Sequence, residues 1–226
     1  MNIGGTPFVL IGGVDEAGRG PVIGPMVMVL AVIEEEKLPE LRELHVRDSK
    51  ELTPEKREEL YPEIKKMLDD LVVMKISPAE IDVFVERKGL NELEAMKTAQ
   101  MITLAKKRPD VVYIDAPDPD PRKYVWRIAK YLENPPKIVA EHRADAKYPI
   151  VSAASIIAKV ERDREIRKIE EEWGEFGTGY PHDEKTIKQL ERILKENGKY
   201  PDFVRKSWST AKRLVERKNQ RSILDW

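Results

Sequence analysis

The sequence predicts an α/β sheet that opens on a hairpin and ends in a helical C-terminal portion. Three observations carry that expectation. Two apolar runs, PFVLIGGV and VMVLAVI, are separated only by a glycine-rich segment, so they pair as an antiparallel hairpin. Three further short apolar runs then alternate with helical segments. From Gly174 onward no strand pattern returns, and the chain reads as loop and helices.

PFVLIGGV is a buried strand and VMVLAVI (Val27–Ile33) a second. In TPEKREELYPEIKKMLDDL a Thr cap, a Pro at the first helical position and acids in the first turn start a helix at about Pro54. VVMKIS (Val72–Ser77) is a third strand, and NELEAMKTAQMITLAKK a helix capped by Asn91. DVVYIDA is a short strand ending in Asp115. PRKYVWRIAKYL is helical, KIVAEHRAD is a strand running out to Asp145, and PIVSAASIIAKVERDREIRKIEEEW is a long helix. The best seam lies in WGEFGTGYPHD, rich in glycine and aromatic rings. It divides the chain into a catalytic portion 1–173, a helical substrate-binding portion 174–219 and a tail 220–226.

A charged fraction of 36% beside 41% hydrophobic residues describes a folded globular chain. No apolar run approaches the roughly 18 residues of a membrane span. No signal-peptide pattern opens the chain, and there is no cysteine for a disulfide or thiolate metal site, so a cytoplasmic protein is expected. The Glu/Lys/Arg-rich, cysteine-free composition leans thermophilic. The net charge of −1 argues against a generic nucleic-acid coat. Its distribution says more, since residues 186–221 hold eleven Lys/Arg against four Asp/Glu. That basic stretch suits a polyanion, or is a solvated helical surface.

Three predicted strands carry acids at or just beyond their C-terminal ends: Asp15 and Glu16, Asp115, and Asp145. Ligand sites of open α/β sheets lie outside the carboxyl ends of parallel strands. Four carboxylates in one space cannot all stay ionised uncompensated. Oxygen-only ligands favour Mg²⁺ or Mn²⁺, and two such ions about 4 Å apart would clamp the attacking and leaving oxygens of a phosphoryl displacement. Any one of these acids could be a turn former or helix cap, Asp145 especially. The loop GRGPVIG is neither a dinucleotide fingerprint nor a P-loop. Gly18 and Gly20 let backbone approach a ligand closely, and Arg19 offers a phosphate donor; the plain alternative is a tight turn with an exposed arginine. His45 and His182 read as surface residues and His142 as a neighbour of Asp145. No Ser-His-Asp order or G-x-S-x-G elbow supports acyl transfer.

The stretches GVDEAGRGPVIGPMV, VRDSKELTP, YIDAPD, AEHRADAKYPIVSAASIIAKVERD and GTGYPHD occur in this order over residues 11–215. Together they resemble type 2 ribonuclease H, ribonuclease HII, in its archaeal form. The resemblance implies the ribonuclease H-like five-stranded mixed sheet flanked by helices, with a C-terminal helical portion. It implies catalytic, metal-binding acids at Asp15, Glu16, Asp115 and Asp145, the set that the strand ends had already singled out. The family's Gly-Arg-Gly falls on Gly18, Arg19 and Gly20, which would contact the ribonucleotide, its 2′-hydroxyl and nearby phosphate. Its tyrosine falls on Tyr180, which would stack on the sugar at the RNA–DNA junction. Related type 3 enzymes carry Gly-Lys-Gly instead. A reader of RNA against DNA must sense the 2′-hydroxyl, and close glycine backbone can do so. Lys50, Lys147 and Lys159 are phosphate-binding candidates or plain surface lysines. SAAS (Ser152–Ser155) reads as helix packing.

The implied function is an endoribonuclease acting on RNA/DNA hybrids and on ribonucleotide-containing duplex DNA. It would cut 5′ to the ribonucleotide by two-metal hydrolysis, leaving a 3′-hydroxyl and a 5′-phosphate. The alternatives are another two-metal nuclease of the same superfamily, or a non-catalytic hybrid-binding protein tethered to a sliding clamp. The helix expected over FVRKSWSTAKRLVER puts Val204, Trp208, Ala211 and Val215 on one face and Arg205, Lys206, Lys212, Arg213 and Arg217 on the other, toward the duplex backbone. In the tail, Gln220, Ile223 and Trp226 resemble the start of a sliding-clamp (PCNA) interaction box that lacks its second aromatic; the alternative is a frayed end. A monomer without membrane contact is expected.

Overall fold

The computed structural model describes residues 8–44 and 52–224, the last four by backbone alone. His45, Lys50 and Trp226 lie outside the described residues, as does the side chain of Ile223. The strands are β1 (Leu10–Ala17), β2 (Met26–Glu34), β3 (Asp70–Ile76), β4 (Val111–Asp115) and β5 (Lys137–Glu141). They form one mixed sheet in the order β3-β2-β1-β4-β5. The helices are α1 (Leu38–Glu43), α2 (Pro54–Met67), α3 (Pro78–Arg87), α4 (Leu90–Leu104), α5 (Pro121–Ala129), α6 (Ala144–Lys147), α7 (Pro149–Trp173), α8 (Glu184–Asn197) and α9 (Ser209–Leu224). No helix among the described residues is long and apolar enough to cross a membrane.

The chain divides into two compact units that interleave in sequence. The first unit takes residues 1–17, 28–74 and 94–160; the second takes 18–27, 75–93 and 161–226. In the first unit, β1 runs parallel to β4, and β4 parallel to β5. Residues 28–33 of β2 are fully buried, so this strand is covered on both faces and reads as one continuous apolar run. A Cβ on Gly13 would lie 2.5 Å from the Ile150 carbonyl, so α7 begins directly against the β1 backbone. Thr53 accepts from the Lys56 N–H and caps α2, with Pro54 at the first position as expected.

The core of the second unit gathers Val22, Ile23, Phe176, Leu190, Val204 and Leu214. Phe203 packs edge-on against both Trp173 and Phe176. Asp183 caps α8, and Gly198, at φ +77°, ends it.

Two expected elements are corrected. The strand expected to reach Asp145 stops at Glu141, because its β4 neighbour ends at Asp115, opposite Glu141, and leaves no ladder beyond. The C-terminal helix begins at Ser209 and not at Phe203, because Val204 pairs with Ile23 in an antiparallel bridge.

Candidate active site

The acids belong to the first unit. Val14 pairs with Ile114, and the next residue on each parallel strand is an aspartate, Asp15 and Asp115. Asp145 reaches the group from α6. Arg143 adopts the left-handed conformation (φ 60°, ψ 36°) and turns the chain out of β5 into that short helix, at a strain cost of about 1 kcal/mol or more. The Ala144 N–H donates to Asp115 Oδ1 at 3.3 Å, tying α6 to the end of β4. Asp15 and Asp145 are buried; Glu16 and Asp115 are half-buried.

Burial is the main cause that pushes the Asp15 carboxyl up to about 7, and repulsion from Asp115 and Asp145 adds to it. Hydrogen bonds from the Ser155 hydroxyl and the Glu16 N–H act in the opposite direction. The donor set is oxygen only, the chemistry that Mg²⁺ or Mn²⁺ prefers. A cation would relieve the repulsion that Asp15 feels. Among the described residues no three of the acids close into a preformed cage. The site fits divalent cations by donor type and by charge.

The glycine loop and the tyrosine belong to the second unit. Gly18 sits at φ +84°, and a Cβ there would strike the Arg162 side chain and lie 2.9 Å from the Pro25 carbonyl oxygen. A Cβ on Gly20 would lie 2.9 Å from Cε1 of Tyr180, so this glycine makes room for the ring. Tyr180 is 43% exposed. Its loop is fastened by Asp183, which accepts from both the N–H and the hydroxyl of Thr178, and by Thr186, which accepts from the Gly179 N–H. The Val22 N–H donates to the Gly179 carbonyl at 2.8 Å, joining the tyrosine loop to the glycine loop. The Arg19 guanidinium donates to Asn91 Oδ1.

Lys147 is drawn to Glu141 at 2.6 Å, and that bond raises its pKa; Tyr148 donates to the same carboxylate. Lys159 is half-buried on α7. His142 places its ring nitrogens at the carbonyls of Ala116 and Pro119, and His182 packs beside Tyr180. Gln220 is exposed on α9. The sequence reading set Arg205 on a helix face toward a duplex; it is instead fully buried, ahead of α9. Ser155, read as packing, donates to Asp15. Its spacing from the acids carried no signal, since the contact exists only because α7 lies along β1.

A family model described as Ribonuclease HII matches residues 12–211. The ribonuclease HII of Pyrococcus abyssi is 50% identical over 208 residues, 92% of each chain. The crystal structure of ribonuclease H2 from Pyrococcus horikoshii superposes with a TM-score of 0.89 at 47% identity, covering 94% of this chain and all of that one. Ribonuclease HII of Archaeoglobus fulgidus, solved in complex with PCNA, gives a TM-score of 0.80 at 40% identity over 90% of this chain and 96% of that one.

Proposed function

The chain belongs to the ribonuclease HII family and is an endoribonuclease of the ribonuclease H type, and from that premise we propose that it cuts 5′ to ribonucleotides embedded in duplex DNA as well as within the RNA strand of RNA/DNA hybrids. The observation that carries this reading is the convergence of Asp15, Asp115 and Asp145, strong enough to raise Asp15 to about 7 by burial and mutual repulsion. Asp15, Glu16, Asp115 and Asp145 are the residues that would hold Mg²⁺ or Mn²⁺, two ions with substrate bound. When bound, these ions supply Lewis acidity at the attacking water and at the leaving oxygen.

The protein's own groups do the rest. Ser155 and the Glu16 N–H fix the rotamer of Asp15. The link from the Ala144 N–H holds Asp115. Gly18, Arg19 and Gly20 read the ribose through backbone and guanidinium, and Tyr180 stacks on the neighbouring sugar. Water oxygen bonds to phosphorus as the bond to the 3′-oxygen breaks, leaving a 3′-hydroxyl and a 5′-phosphate. We read the protein as a cytoplasmic monomer, with Gln220, Ile223 and Trp226 as a sliding-clamp-binding tail. The relative solved in complex with PCNA supports that last reading.

The test is a DNA duplex carrying one ribonucleotide, incubated with Mg²⁺, with Mn²⁺ or with chelator, beside an all-DNA duplex. The expected result is metal-dependent cleavage 5′ to the ribonucleotide with the all-DNA duplex intact. Equal cutting of both duplexes would move the assignment to a nuclease indifferent to the 2′-hydroxyl. Binding without cleavage under either metal would leave a hybrid-binding protein.

A further inference from the structure

Arg205 is fully buried, and each of its side-chain nitrogens donates to a different carbonyl of the glycine loop. Nη2 reaches Gly18 at 2.5 Å, Nη1 reaches Arg19 at 2.9 Å, and Nε reaches Gly24 at 3.1 Å. Its backbone N–H donates to Val22 at 2.8 Å. Trp208 completes the set, with its indole Nε1 donating to Gly20 at 3.0 Å while its ring lies against the Arg205 guanidinium. The intervening residues are pinned in turn: Asp82 accepts from the backbone N–H groups of Lys206 and Ser207 and from the Ser207 hydroxyl.

The consequence follows from the planar peptide. Among the described residues no peptide bond is cis. In a trans peptide the N–H of one residue points opposite to the carbonyl of the residue before it. With the Gly18 and Arg19 carbonyls drawn inward to Arg205, the N–H groups of Arg19 and Gly20 are turned the other way. Pro21 has no N–H, so of the amides that follow the three held carbonyls of Gly18, Arg19 and Gly20, these two are the donors turned outward. A guanidinium suits this task because it is a rigid fork with donors on three nitrogens; an ammonium has one donor atom and cannot span three carbonyls. Burying a cation on carbonyls without a carboxylate in the fork is unfavourable. Its burial, and after that the neighbouring Arg162, pulls the Arg205 pKa down to about 9, so it remains charged at neutral pH.

We propose that Arg205, seconded by Trp208, is the positioning residue that sets the Gly18–Gly20 backbone in its ribose-reading orientation. The proposal rests on the ribonucleotide reading of the loop given above. Arg205 touches no substrate; it acts through the loop that does.

Two variants test it, Arg205→Lys and Trp208→Phe. The first keeps the charge and loses the fork. The second keeps an aromatic ring and loses the indole N–H, and it carries the test if the first does not fold. Affinity is measured in chelator, for a duplex with one ribonucleotide and for an all-DNA duplex. Amide hydrogen exchange is followed in the peptide spanning residues 17–25. Wild type is expected to prefer the ribonucleotide duplex. Each variant should lose about tenfold of that preference, the size of one lost polar contact, with all-DNA affinity within about twofold and faster exchange in the loop. Unchanged preference and unchanged exchange in folded variants overturn the positioning role. Equal loss on both duplexes also overturns it, since that is general destabilisation. A wild type with no preference, beside faster loop exchange in the variants, overturns the ribose reading and leaves only the loop-holding role.

Discussion

Two adjacent aspartates on parallel strands, with a third from a short helix, make a site whose charge is its main property. Burial and the neighbouring acids hold Asp15 at about 7, far above an ordinary aspartate. Removing one partner should therefore change cation binding before it changes the fold. Asp115→Asn is expected to lower single-turnover cleavage about a thousandfold or more, since several kcal/mol of charge stabilisation depends on the ion pair site. Duplex affinity in chelator should stay near wild type. The rise in melting temperature on adding Mn²⁺ should shrink. Wild-type turnover in this variant would remove Asp115 from the site. At this scale the sequence was informative. Strand periodicity and the position of an acid at a strand end are local properties, so Asp15 and Asp115 could be read from their own segments. Ser155 could not, because its partner lies 140 residues away in the chain.

Among the elements, the contact of α7 with β1 organises the first unit. Gly13 exists because the backbone of Ile150 and Val151 occupies the space of its side chain. Those neighbours are main-chain atoms of a helix start and cannot swing aside. Gly13→Ala should destabilise the protein by about 1–3 kcal/mol, as overpacking does. The midpoint of urea unfolding should fall with its slope unchanged; an unmoved midpoint would show that α7 is free to shift. The boundaries of α7 were legible from sequence, as was the start of α2 at its Thr-Pro cap. The extent of β5 was not, because a strand ends where its neighbour ends. The segment 203–208 was misread for a related reason. Its apolar spacing fits a helix, yet Val204 finds a strand-like partner in Ile23 and Arg205 finds the carbonyls of the glycine loop. The short helices α1 and α6 carry too few turns for a periodic signal, whereas α3, with its Ser77 cap and Pro78 at the first position, carries the same start signal as α2 and is an element that sequence reading missed.

For the molecule as a whole, the tail offers a prediction separable from catalysis. Removing residues 220–226 should abolish binding to a sliding clamp and leave cleavage of a free duplex unchanged. Isothermal titration of the clamp against both forms, beside the cleavage assay, checks it; equal affinity of the two forms would place any clamp contact elsewhere. By itself the sequence determined the α/β class, and it set Asp15 and Asp115 at the ends of their strands with glycines beside the first, because strands, caps and turn chemistry are written within a few residues of each position; Tyr180 was singled out only by the family resemblance. Only the tertiary structure decided what holds those parts. Arg205 lies 187 residues beyond the Gly18 carbonyl that it grips, and a basic side chain beside a tryptophan reads as surface until the fold buries it. Burial and hydrogen-bond partners are properties of segments far apart in the chain, and no local pattern encodes which of them will meet.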